Sequence, residues 1–209
     1  MHLHIFPKDL WGKHLWRQAQ TQECVQQFTR GDFNILNPRT NTYNGGSNIV
    51  RLEFPIMQWS IAAINRLIGE SILTSRIFMF CTGLLGIFGF YLLLFEIFKD
   101  RLIAFCGSFA FSFSPVFYYY TVNPLPDVFG LSMGILSLAL FFQYKRTKKN
   151  NFLIGSAILM SFSILAKLPF IMFGVVPATY FIQEIFSKNE DRKHVLLKLF
   201  VAYAFAFIT

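Results

Sequence analysis

The sequence predicts an all-α integral membrane protein, a polytopic helical bundle with a polar segment in front of it. Three observations carry that prediction. Hydrophobic residues make up 54% of the chain and charged residues only 14%, whereas soluble domains carry roughly 25% charged residues. Apolar runs recur from Ile77 onward, several near the ~20 residues that a bilayer core requires. Several of the basic residues behind the formal charge of +8 fall in short connections between those runs, where positive-inside sorting explains them. The Lys and Arg form no single stripe, so nucleic acid is excluded as a partner.

Two regions follow from the polarity. Residues 1–72 are a polar segment with two helices, and residues 73–209 are a transmembrane region of about six spans, the last incomplete. Met1–Lys13 has no apolar core of a signal peptide. The final run, Phe205–Thr209, is still apolar, so the chain is expected to be cut at that end and to lack a membrane helix before residue 1. His2, His4 and His14 read as a terminal tail rather than a metal site. Cys24, Cys81 and Cys106 form neither a disulfide framework nor a metal cluster and read as small buried hydrophobes.

In chain order, residues 15–30 read as a helix. Leu, Gln, Ala and Glu favour it, Trp16, Ala19 and Glu23 share a face, and Leu15, Val25 and Phe28 give a partial apolar stripe. Gly31 ends it. Residues 31–52 are a loop with turn signals at Asn37-Pro38 and Asn44-Gly45-Gly46-Ser47. A glycine pair beside Ser could cradle a phosphate, but no Walker spacing follows, and a plain turn is the better reading. Pro55 opens a second helix to about Ile68. Met57, Ile61, Ile64 and Ile68 make it amphipathic, and it is too short to span a bilayer, which puts it on the membrane surface. Gly69 ends it. The spans are then Ile77–Phe98, Leu102–Thr121, Val128–Tyr144, Phe152–Ala166, Phe170–Phe186 and Val195–Thr209.

Loop charge orients the bundle. Lys99-Asp100-Arg101, Lys145–Lys149 and Ser187–Lys193 carry most of the loop Lys and Arg and are expected in the cytoplasm. The polar segment, Asp127 and Lys167 then share the external face. Three charges stand out there. Glu53 lies just ahead of Pro55, at the positive end of the second helix, where it could simply stabilise the terminus. Asp127 opens the third span, where it could cap a helix. Lys167 ends the fourth, where it could snorkel. Together, two carboxylates and an ammonium on one face could hold a metal, activate a hydroxyl or bind a lipid phosphate. Carboxylate with carbonyl or water suits Mg or Mn.

These residues resemble a family. Trp16-Arg17-Gln18-Ala19-Gln20-Thr21, Asn34-Ile35-Leu36 with Pro38, Glu53-Phe54-Pro55, Leu125-Pro126-Asp127 and Ala166-Lys167-Leu168-Pro169 are similar to the polyprenyl-phosphate-dependent glycosyltransferases of the GT-C fold. These are glycosyltransferase family 39, relatives of the protein O-mannosyltransferases and of the aminoarabinose transferases of lipid A. The resemblance covers nearly all of this chain and the N-terminal portion of such an enzyme, usually more than twice as long. It implies a multi-pass protein of the cell (inner) membrane with its active site on the external, periplasmic face. The donor would be a polyprenyl-phosphate sugar, and the acceptor a lipid, glycan or protein. Glu53 and Asp127 match the family's acidic positions, as catalytic residues and as ligands for a divalent metal (Mg, Mn or Zn). Gln20 stands where many relatives carry Asp. Gln cannot be a general base, so either Glu53 or Asp127 takes that role or position 20 binds sugar hydroxyls. Arg17 and Lys167 are the expected substrate-binding cations, facing the phosphate. Two rivals remain: a lipid or amphiphile transporter or flippase, which inverted repeats would support, and a non-catalytic fragment, which Gln20 favours.

Overall fold

The structure, a computed structural model, describes residues 5–6, 8–10, 12–41, 48–50, 53–186 and 192–208. The expected His2–His4 tail, the 44–47 turn and most of the 187–193 connection lie outside the described residues. The elements are α1 (Leu15–Arg30), α2 (Ile56–Ile68), α3 (Ile72–Phe98), α4 (Arg101–Ser112), α5 (Pro115–Thr121), α6 (Pro126–Thr147), α7 (Asn150–Ala166), a 3-10 segment (Leu168–Gly174), α8 (Val175–Phe186) and α9 (Arg192–Ile208). No strand occurs among the described residues, only an isolated antiparallel bridge between Arg39 and Ile49.

The bundle is organised by α3 and α6. Gly83, Gly86 and Gly89 line one stripe of α3, and a Cβ at Gly86 would stand 2.4 Å from Ser132 Oγ and 3.4 Å from Ser132 Cα. Small residues at this spacing let two membrane helices meet backbone to backbone. At the far end of the pair Glu96 is almost wholly enclosed. It accepts from Arg146 Nη2 at 2.9 Å and also meets Lys99. Further along, α6 and α7 are pinned by Ser137, which donates to the Ser156 carbonyl at 2.7 Å, and Ser156 meets the Tyr203 hydroxyl of α9 at 2.6 Å.

The second expected span is not one helix. Ser114 caps α5, its Oγ accepting from the Phe117 amide at 3.5 Å, and Pro115 occupies the first turn. A proline ring clashes with the carbonyl four residues back, so α4 cannot run on through it. The two pieces meet at 68°. Among the described residues three helices are long and apolar enough to cross a membrane: Ile72–Phe98, Pro126–Thr147 and Leu168–Phe186. The bent α4–α5 pair adds a fourth if it is one crossing. The other two expected spans form α7, of 17 residues, and α9, whose apolar part is also short.

The polar segment folds onto this bundle. Both of its helices end where expected. Gly31 donates to Gln27 O at 2.9 Å, and Gly69 adopts φ 99°, a conformation that favours glycine. The buried face of α1 is Gln18, Thr21, Gln22, Val25 and Phe28, while Trp16 stands 70% exposed. Met57 and Ile61 of α2 are fully buried against Val25 and Phe28 of α1 and Met79 of α3. What α2 leaves for a lipid interface is its end, Leu67 and Ile68. Arg66 fastens the hairpin by donating to the carbonyls of Phe28 (2.8 Å) and Gly31 (2.7 Å) at the α1 C-terminus, the site where a helix accepts cations best.

The glycine stripe yields a prediction. Gly86→Val should overpack the α3–α6 contact at a cost of about 1–3 kcal/mol, lowering the thermal midpoint of the purified protein by several degrees. Gly155→Ala, which meets only the flexible Leu140 end, serves as the control. Equal midpoints would contradict the close approach.

Candidate active site

The first half of the site is built by one guanidinium. Arg17 lies in the first turn of α1, and Gln20 three residues on shares its face. Arg17 Nη1 donates to Gln20 Oε1 at 2.8 Å, and Nη2 donates to Glu53 Oε2 at 2.6 Å, across 36 residues of sequence. Glu53 reaches α1 because the loop doubles back: Thr40 N donates to Asn48 O at 3.0 Å and Val50 N to Pro38 O at 2.8 Å. The two charged side chains are about one-fifth exposed. Glu53 Oε1 has no hydrogen bond among the described residues.

Beside this ion pair lies a cavity of about 30 Å³, lined by Arg17, Gln20, Thr21, Cys24, Glu53 and Gln58 among others. That volume holds one or two water-sized groups. A hydroxyl fits that space. Sequence reasoning missed Thr21, which is 2% exposed and whose hydroxyl has no partner among the described residues. Its signal was its position in the quoted Gln20-Thr21 pair. Burial pushes the Cys24 thiol up to about 12, against the opposing pull of the Arg39 backbone and Arg17.

The second half comes from α6 and α7. Ser163 Oγ donates to the Gly130 carbonyl at 2.7 Å, one turn from Lys167 on one helix and one turn from Asp127 on the other. That contact sets the register in which Lys167 meets Asp127 directly. Asp127 therefore does not cap the helix, the simpler alternative for it. The α6 N-cap is Leu125, and Asp127 sits in the first turn with a cation of its own. Glu53 likewise does not serve the α2 terminus but pairs with Arg17. Both halves border one core, in which Val128 and Ala166, the neighbours of Asp127 and Lys167, pack with Met57 and Val25.

Glu53 and Asp127 are the expected metal ligands. Among the described residues no three His, Cys, Asp or Glu side chains are grouped to hold an ion, and each carboxylate is already engaged by a cation.

The family model for dolichyl-phosphate-mannose-protein mannosyltransferases matches residues 53–209, about three quarters of the chain. The chain belongs to that family. Its members are membrane glycosyltransferases that draw on polyprenyl-phosphate-linked sugars. The match begins at Glu53 and includes Asp127 and Lys167, and the structure joins Arg17 and Gln20 to its first residue. Comparison with curated proteins and with solved structures returned no significant match.

The pocket predicts a labelling pattern. With Cys81 and Cys106 replaced by Ala, Cys24 should resist a water-soluble maleimide at pH 8, since a thiol titrating near 12 supplies little thiolate there. Arg17→Ala, which unties the loop from α1, should raise the labelling rate. Rapid labelling of the otherwise unchanged protein would show that the pocket is open.

Proposed function

We propose that the protein transfers a sugar from a polyprenyl-phosphate donor to an acceptor hydroxyl at the external face of the cell membrane, with Glu53 as general base. The observation that carries this reading is the Arg17–Glu53 pair beside a hydroxyl-sized cavity, within a family of membrane glycosyltransferases. Arg17 holds one carboxylate oxygen and leaves the other for the incoming group. Gln20, by accepting from the same guanidinium, fixes its plane, a bridging role that needs no acid.

The step is one displacement. The acceptor oxygen bonds to the anomeric carbon while its proton passes to Glu53. The bond from that carbon to the phosphate oxygen breaks, and its electron pair leaves with the polyprenyl phosphate. The anomeric configuration inverts. The leaving group departs as a stabilised anion, so it needs a cation more than an acid. Lys167, steadied by Asp127, supplies that cation.

General-base help contributes typically 10²–10⁴-fold. Glu53→Gln should therefore lower kcat by about that factor while donor binding persists. Gln20→Asp in the Glu53→Gln background should recover part of the loss, because Arg17 reaches both positions. Initial rates with a panel of polyprenyl-phosphate sugars read both effects. Full activity in Glu53→Gln would remove the base assignment. Donor translocation without bond cleavage would favour the transporter reading.

A further inference from the structure

One buried cation outside this site forms no ion pair among the described residues, and only the Asp9 carboxylate acts on it, from beyond contact distance. This is Arg76, in the first turns of α3, which is 0% exposed. Burying a charge without an ion pair is costly, and hydrogen bonds to backbone carbonyls offset part of that cost. Arg76 Nη1 donates to the Val122 carbonyl at 2.8 Å and its Nη2 to the Asp9 carbonyl at 2.8 Å.

Those two carbonyls lead to the two halves of the site. Val122 is the residue just past α5, where a helix end carries partial negative charge. From there Asn123-Pro124-Leu125-Pro126 turns directly into Asp127. Asn123 closes the same turn, donating from Nδ2 to Tyr119 O at 2.8 Å. Asp9 lies in the stretch that enters α1, six residues ahead of its start and eight ahead of Arg17. That stretch also docks on α5: the Tyr119 hydroxyl donates to Lys13 O and accepts from Gln18 Nε2 at 3.3 Å.

We infer that Arg76 is a positioning residue that fixes the α1 entry and the 122–127 turn to one point on α3, and so holds the Arg17–Glu53 half of the site in register with the Asp127–Lys167 half. Arg suits the task because its planar fork presents two donors at once in fixed directions, which the single point charge of Lys does not. The inference rests on the proposed transfer reaction for its catalytic consequence and on the two hydrogen bonds alone for the coupling.

The test uses the full chain in membranes, with two readouts. In hydrogen–deuterium exchange, Arg76→Lys should lose protection in peptides covering 8–14 and 119–127 together, with 150–166 unchanged. Asn123→Ala should loosen 119–127 alone, and Arg30→Gln, remote from both, neither. In the transfer assay Arg76→Lys should lower kcat by about tenfold or more, the scale of a lost hydrogen bond to a charged group, with KM little changed. Unaltered protection in either segment, or loss throughout the chain, would overturn the coupling. Coupled loss of protection with kcat intact would overturn the positioning role. Absence of transfer by the unsubstituted protein would defeat the proposed function, and the exchange result would still decide the coupling.

Discussion

Much of the site depends on where the Arg17 guanidinium is held. It ties α1 to a residue 36 positions away, and so closes the loop between them. Loop closure of that length is an entropic cost that grows only slowly with length. The bridge at Arg39 and Ile49 has already met part of it by folding the loop upon itself. The pair is mostly enclosed, so its partners are committed. Removing either charge leaves the other stranded, which is worse than never having buried them. The same commitment explains why Gln is tolerated at position 20: an amide oxygen accepts from Arg17 as an acid would, without adding a second negative charge next to Glu53.

Polarity is distributed along the fold by depth. The stripe of glycines brings α3 and α6 together without charged groups, Ser132 being the polar side chain at Gly86. Ion pairs and capped helix ends cluster at the two extremities, Glu96 with Arg146 and Lys99 at one and the candidate site at the other. In a bilayer an unsatisfied backbone group has no water to turn to. The bend between α4 and α5 is accordingly supplied with partners: Ser114 at one helix start, and Arg76 and Asn123 at its end.

The helices were legible because their signals are local. Gly31, Pro55 and Gly69 mark the ends of α1 and α2, and the apolar runs mark the rest. The break at Ser114-Pro115 was also present in the sequence, but a hydropathy window averages over it. The site was legible in its residue types and less so in its pairings. Glu53 and Asp127 each have a plausible local task at a helix start, and only the tertiary fold reveals that each instead faces a cation from another element. Thr21 and Arg76 carried weaker signals. A threonine in a polar helix is unremarked until its hydroxyl is found buried without a partner. An arginine at the head of an apolar run reads as the edge of the water layer until the polar segment is seen folded over it.

The most direct measurement of the central claim is the fate of a polyprenyl-phosphate sugar labelled in its sugar, incubated with the full-length protein in membranes. The account predicts label on an acceptor hydroxyl, with inverted anomeric configuration and one free polyprenyl phosphate released for each transfer. Label still attached to the lipid phosphate, whether bound or moved across the bilayer, would contradict it.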